Sequence, residues 1–282
     1  MRLFSSMRSR FALAGAAGVV VLVGGLSFVS AGSASAAVVK PPVNGQFDYQ
    51  IGGAYTPAAS VQIVDRDRSQ KPVSGKYNIC YVNAFQTQPD DRSWWSTNHA
   101  DLLVKKSNGS LLVDPDWPDE YLMDISTAAK RDALMAIVGP WIDGCATSKF
   151  QAVEPDNIDS YTRSNGVLTQ TNAISWATAL ASRAHAKGLA IAQKNTAELG
   201  SLGRDTAKFD FAIAEECNVA DYNECGDYQA VYGNNVIEIE YTDNAKSAYT
   251  KSCSTRGSAI SIILRDREVV PAGNSAYHYE YC

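Results

Sequence analysis

Short apolar runs recur along the chain, and most of them stop in acidic or amide residues. They are FDYQIGG (47–53), VQIVDRD (61–67), YNICYVN (77–83), EYLMDI (120–125), FQAVEPDN (150–157), LAIAQKN (189–195), FDFAIAEE (209–216), VIEIEY (236–241) and AISIILRD (259–266). Runs of this length, rich in β-branched and aromatic residues, predict buried strands. Two stretches between them follow a helical period instead. Over 172–187 Asn172 caps a helix, Ile174, Ala177, Ala181 and Ala184 share one face, and Gly188 ends it. Over 126–143 Ser126 caps, and Leu134, Ile137, Val138 and Trp141 form the apolar face. Strand and helix in alternation predict parallel pairing through right-handed crossovers. About eight such units predict a single-domain (β/α)8 TIM barrel over 47–282, behind an extended lead over 38–46. Nine strand candidates compete for eight places. Starting the ring at VQIVDRD makes FQAVEPDN strand 4 and FDFAIAEE strand 6, with FDYQIGG or AISIILRD as an extra or edge element.

The first 37 residues have a different pattern. Arg2, Arg8 and Arg10 precede a long apolar stretch, and ASA at 34–36 supplies small residues for cleavage near Ala36 or Ala37. This predicts a secretory signal peptide and a secreted protein with no membrane association after cleavage; an uncleaved anchor is the alternative. The other 245 residues hold all six cysteines, as an oxidising compartment requires. Cys217 and Cys225 share a polar loop and pair; Cys253 with the terminal Cys282 ties down the tail; Cys80 and Cys145 remain for each other. Because residues 1–37 carry three arginines and no acid, the net charge moves from −5 for the whole chain to −8 for the remainder. That balance argues against a nucleic-acid partner, which needs Lys and Arg, and suits a cationic ligand. A monomer is expected. Asn108-Gly-Ser is a glycosylation sequon.

In a barrel of this kind the C-terminal strand ends converge on one face. Those ends are Asp65, Asp67, Asn83, Asp124, Glu154, Asp156, Asn157, Lys194, Asn195, Glu215, Glu216, Glu240 and Tyr241. The opposite ends are apolar or aromatic: Val61, Tyr77, Phe150, Leu189, Phe209 and Val236. The one-sided polarity predicts a carboxylate-rich site. Only three histidines are present, His99, His185 and His278, and none ends a strand, so a Ser-His-Asp triad is not expected. Phosphate loops, dinucleotide fingerprints and zinc spacings are absent from the sequence, and no metal or cofactor is expected. The remaining chemistry is that of two carboxylates at a glycosidic bond. Asp156 suits the nucleophile, with Asn157 holding it or the substrate and Lys194 keeping it ionised. Glu215 or Glu216 suits the acid/base, raised by burial; sharing strand parity with Ala212 and Ala214 favours Glu216. Glu154 shares parity with Asp156 and is either a substrate group or a buried partner of Lys194. Asp65 and Asp124 are either substrate contacts or helix caps. Tyr81, Glu240 and Tyr241 complete the expected substrate-binding set. Trp94, Trp95 and Trp117 are either sugar platforms or ordinary core and surface aromatics. His185 is expected on the exposed side of its helix.

FDYQIGG, YNICYVNAF, WPDEYLMDIS, FQAVEPDNIDSY, AHAKGLAIAQKN, FDFAIAEECNVADYNEC and IEIEY together resemble glycoside hydrolase family 114, the endo-α-1,4-polygalactosaminidases. EPDNID and the EEC…EC pair are the specific segments. The resemblance implies a TIM barrel that cleaves inside polymers of α-1,4-linked galactosamine, of the galactosaminogalactan type. It places the catalytic Asp at Asp156 and the catalytic Glu at Glu215, with Glu216 open. Where the family usually shows a Trp near the start and an Asn before the Glu, this chain has Phe47 or Tyr49 and Ala214. A hydrogen bond to the sugar is thus expected to be missing. A de-N-acetylated galactosamine polymer is polycationic, which fits the acidic chain. Retention of configuration is expected, with the carboxyls ~5–5.5 Å apart rather than the ~6.5–9.5 Å of an inverting pair. The alternatives are a glycosidase for other α-galactosides and a glycan-binding barrel without turnover.

Overall fold

Parallel strands covered on both faces must be apolar on both faces, and the runs noted above meet that demand twice over. The computed structural model describes residues 38–219 and 224–282. The signal segment over 1–37 and residues 220–223 of the EEC…EC motif lie outside the described residues. Eight strands pair in sequence order, all parallel: β1 (Phe47–Tyr49), β2 (Ile63–Asp67), β3 (Tyr77–Asn83), β4 (Ala152–Asp156), β5 (Ala190–Lys194), β6 (Phe211–Glu215), β7 (Val236–Tyr241) and β8 (Ser261–Arg265). A ninth, β9 (Tyr279–Tyr281), adds to β8 antiparallel. The helices are α1 (Arg92–Asn98), α2 (Ala128–Ser148), α3 (Gln170–Ala186), α4 (Cys225–Tyr232) and α5 (Lys246–Arg256). The fold is a (β/α)8 TIM barrel, with β1 beside β8 at the seam. The Tyr279 hydroxyl on β9 spans that seam, donating to the Phe47 carbonyl at 2.8 Å.

Alternation along each strand separates two cores. Phe47, Ile63, Ile79, Phe211, Ile213 and Ile263 fill the barrel interior. Cys80, Val82, Val153, Ile191, Ala212 and Ala214 pack outward on the helices. Towards the C-terminal ends the inward positions change to Asp65, Glu154, Lys194 and Glu215, so an apolar plug carries a charged layer on top.

Three expectations are corrected. EYLMDI is not a barrel strand: Leu122, Met123 and Tyr121 make only single antiparallel bridges, to Gln86, Leu103 and Val113. Leu122, Met123 and Ile125 are apolar because they bury against the outer core, not because they join the ring. FDYQIGG supplies the missing strand, which leaves FQAVEPDN and FDFAIAEE as strands four and six for a different reason. The helix caps also shift. Thr127, not Ser126, accepts from the Lys130 N–H, and α2 runs on through Pro140 to Ser148. At α3 the cap is Thr169, and Asn172 completes a reciprocal capping box by accepting from the Thr169 N–H at 3.0 Å. His185 is half-buried and bonded to Asp210 at 2.8 Å instead of facing solvent freely.

All three expected disulfides are present. Cys80–Cys145 ties β3 to α2 across 65 residues, Cys253–Cys282 ties α5 to the last residue, and Cys217–Cys225 closes a loop of 8 residues before α4. Cross-links stabilise mainly by restricting the unfolded chain, more so for longer loops. Replacing Cys80 and Cys145 together by Ala is expected to lower the unfolding free energy by about 4 kcal/mol, against about 2.5 kcal/mol for the Cys217/Cys225 pair. Denaturant titration of both double variants checks the ranking.

Candidate active site

Lys194 ends β5 pointing inward, and burial there would strip its proton unless anions surround it. They do. Its Nζ lies 3.0 Å from Glu154 Oε1, 3.5 Å from Asp156 Oδ1 and 3.2 Å from Glu215 Oε2, and it donates to the Tyr49 hydroxyl at 3.3 Å. Burial pulls the ammonium pKa down, but Asp156, Glu154 and Glu215 together hold it well above the ordinary lysine range. A cation attracted to those three carboxylates would find the position taken by this ammonium.

The three carboxylates differ in access. The Glu154 side chain is 0% exposed, whereas Asp156 and Glu215 reach 16% and 21% and open into a cleft of about 480 Å³. That volume lies within the usual range of ligand sites. Each exposed carboxylate is clamped. Asp156 Oδ2 accepts from the Tyr81 hydroxyl at 2.9 Å and Oδ1 from the Asn157 backbone N–H at 2.7 Å. Asn157 reaches that bond because it adopts a left-handed φ of 68°, which Asn tolerates better than most residues. Its side chain turns away to Asn83. Glu215 Oε1 accepts from the Tyr241 hydroxyl, and Oε2 from the Asn195 amide at 3.0 Å. The Asn195 side chain also accepts from the Glu215 N–H at 2.8 Å, so one residue holds both the backbone and the carboxylate of position 215.

The expected rise in the Glu215 pKa is reversed. Burial does push it up, but Lys194, Tyr241 and Asn195 outweigh burial and hold it below the ordinary value. The inward parity is also the opposite of the expectation. Phe211, Ile213 and Glu215 face the barrel, while Ala212 and Ala214 face the helices. Glu216 follows the strand at φ 57° and bonds Arg267 at 2.5 Å and the Asn244 amide.

Asp156, Asn157, Lys194, Glu215, Glu216, Tyr81 and Tyr241 all line the cleft. Four other expected substrate contacts are corrected. Asp65 and Glu154 are fully buried below the floor. Asp124 accepts from the Ser126 backbone N–H and lies 3.7 Å from Lys130 in the turn before α2, because the segment carrying it never joins the ring. Glu240 alternates with the inward Ile239 and Tyr241, so it points outward, accepts from the Asn218 N–H and packs near Glu238. Burial there, reinforced by Glu238, pushes its carboxyl up to about 7. Trp117 lines the cleft and Trp95 is core.

Several cleft residues escaped the sequence reading. Tyr49 donates to Glu154 at 3.2 Å. Glu120 accepts from Asn83 at 3.0 Å, and burial, opposed by Asn83 but aided by Asp156, pushes its carboxyl up to about 7. Arg163 pairs with Asp114 and Asp159, and Arg267 stacks 4.2 Å over Tyr241. Gly52 allows the loop after β1 to pass the loop after β8: a methyl there would sit 2.6 Å from the Val269 carbonyl oxygen. Among the described residues the cleft lining counts seven carboxylates, Asp116, Glu120, Asp156, Asp159, Glu215, Glu216 and Glu268, against the three cations Arg163, Lys194 and Arg267.

The profile of glycoside-hydrolase family GH114 matches residues 29–282. The crystal structure of Aspergillus fumigatus Ega3 in complex with galactosamine is similar with a TM-score of 0.68 and 24% identity, covering 88% of this chain and 98% of that one. The glycoside hydrolase domain of PelA from Pseudomonas aeruginosa is similar with a TM-score of 0.57 and 14% identity, over 82% of this chain and 97% of that one. Both likenesses are of fold. No curated protein sequence matches.

Removing one partner from a buried ionic cluster leaves uncompensated charge and typically costs about 3–5 kcal/mol. Lys194→Met is expected to lose stability in that range at neutral pH, and to regain part of it on acidification as the stranded carboxyls protonate. Chemical denaturation at two pH values reads both effects.

Proposed function

The chain belongs to glycoside-hydrolase family GH114, and on that footing we propose that it cleaves within polymers of α-1,4-linked galactosamine by a retaining mechanism, with Asp156 as nucleophile and Glu215 as acid/base. The observation that carries this reading is that, of the three carboxylates around Lys194, Asp156 and Glu215 open into the cleft and Glu154 does not. Asp156 attacks the anomeric carbon while Glu215 protonates the leaving oxygen. Glu215 then takes a proton from the water that displaces the Asp156 ester. Both carboxylates touch one ammonium nitrogen, at 3.5 and 3.2 Å, so those oxygens lie no farther apart than the two contacts laid end to end. That bound on the two nearest oxygens is compatible with the ~5–5.5 Å separation of a retaining pair and supports that reading over the ~6.5–9.5 Å of an inverting one. Forming the ester removes the negative charge of Asp156 and makes Glu215 a stronger acid, which suits the switch to general base.

The substrate assignment is supported by the excess of carboxylates in the cleft and by the galactosamine bound in the Ega3 crystal. Ammonium groups at every sugar would be drawn to such a cleft, more strongly at low salt. Secretion is supported by the pattern of residues 1–37 and by three disulfides. The catalytic barrel then spans 47–282 after a short extended lead.

Reducing ends released from an α-1,4-linked galactosamine polymer test the assignment directly. Asp156→Asn and Glu215→Gln are each expected to lower turnover by roughly 10²–10⁴-fold. Wild-type protein that binds the polymer and releases nothing would favour a binding barrel. Turnover indifferent to salt and to N-acetylation would favour a neutral α-galactoside.

Glu215 must carry a proton to act as the acid, and its pKa is held low. Activity should therefore decline as pH rises from the acid range. Tyr241→Phe removes one of the groups holding the carboxyl down, so this limb should move to higher pH in the kcat/KM profile. A limb that stays in place or moves to lower pH counts against Glu215 as the acid.

A further inference from the structure

Beneath the cleft lies a second carboxylate pair that catalysis by Asp156 and Glu215 does not use. Asp65 ends up on the inward face of β2, opposite Tyr49 on β1 and Ile79 on β3, with 0% exposure. Neither of its oxygens has a well-aligned hydrogen-bond partner among the described residues, and neither does Glu154 Oε2; the adjoining Arg66 backbone N–H acts on Asp65 only as the last of the influences on it. The Asp65 and Glu154 side chains are neighbours, close enough for each carboxyl to act on the other. Ionised carboxylates are acceptors only, so two of them buried in contact are satisfied only by a proton between them.

The surroundings decide which residue carries that proton. Burial raises the Glu154 carboxyl, but its Oε1 faces the Lys194 ammonium at 3.0 Å and accepts from the Tyr49 hydroxyl at 3.2 Å, and both contacts oppose that rise and favour its charged form. Asp65 has no ammonium or hydroxyl contact of that kind, only the weaker influence of the Arg66 backbone N–H. The cation that acts on it, Lys194, is already shared among Glu154, Asp156 and Glu215. The other ionisable side chains of this layer are the tyrosines Tyr49, Tyr81 and Tyr241, from β1, β3 and β7. Burial and the neighbouring Glu154 charge push the Asp65 carboxyl well above the ordinary range.

We propose that Asp65 is a protonated carboxylic acid whose hydrogen bond to Glu154 Oε2 fixes the Glu154 carboxylate, and through it the Lys194 ammonium, between Asp156 and Glu215. Asp65 is then a positioning residue for the reaction proposed above, on which its kinetic consequence rests. With Asp65 neutral, Glu154 and Lys194 form a net-neutral pair below two reactive carboxylates. With Asp65 charged, one ammonium would face four buried or half-buried anions. Without the Asp65 donor, Glu154 is less well satisfied and draws Lys194 downward. Glu215 then loses part of the charge that keeps it ionised.

The test compares Asp65→Asn with Asp65→Ala, and adds carboxyl ¹³C resonances of the wild-type protein. An amide at position 65 still donates to Glu154, so Asp65→Asn should keep kcat within about threefold of wild type. Asp65→Ala removes a donor to a charged group and should lower kcat roughly tenfold or more, with little change in KM. Its alkaline limb should move to higher pH, which a merely loosened core would not produce. The wild-type Asp65 resonance should remain that of a protonated carboxyl through neutral pH. A resonance that titrates in the ordinary acid range, or an Asn variant as impaired as the Ala variant, overturns the proposal. If Asp65→Ala does not fold, the resonance and the Asn variant still decide. If the wild type cleaves no galactosamine polymer, the reading of Asp156 and Glu215 fails while the resonance still reports on Asp65.

Discussion

The polar half of the barrel depends on one buried ammonium. Lys194 enters a layer where Glu154, Asp156 and Glu215 would otherwise repel one another in low dielectric. Its charge helps hold the Glu215 carboxyl low, and the three acids keep it protonated. Such a cluster holds only if every member is placed by something rigid. The placement comes from adjacent strands in register: Tyr81 opposite Glu154 and Asn83 opposite Asp156 on one side, and Lys194 opposite Ile213 on the other. The apolar plug below excludes water and makes the contacts strong.

Around this centre the loops repeat the same solution with weaker charges. Asp159 is balanced by Arg163, and Glu216 by Arg267, which also covers the Tyr241 ring. Asn83 connects the Asn157 amide to the Glu120 carboxyl, so the loop after β3 is tied to the Asp156 end of the cleft. Glu215 is held from both sides, by Asn195 just after β5 and by Tyr241 at the end of β7. Carboxylates with satisfied partners keep their geometry, and their excess over cations makes the cleft attractive to positive charge.

Much of this architecture was legible in one dimension. Eight of the nine apolar runs became barrel strands, because parallel strands buried on both faces need unbroken apolar sequence. The cysteine pairings followed from spacing and from the ends of the chain. The EPDN segment marked a strand end at the functional face, and Asp156 stands there. EYLMDI misled because burial under a long loop gives the same apolar signal as burial in a sheet.

The sequence by itself determined which elements exist, where their polar ends lie and which residue types meet at one face, because those features are local or follow from chain order. Only the tertiary structure decided which way each side chain points. With both faces of β6 apolar, no alternation distinguishes Glu215 from Glu216, and the register with β5 and β7 turns Glu215 inward. The same parity sends Glu240 out to the helices. The direction of the Glu215 pKa depended on distances to Lys194, Asn195 and Tyr241, residues 20 or more positions away, or 21 in the case of Lys194. Burial could be guessed from the strand, but the charges that oppose it come from other strands, and only closure of the barrel brings them together.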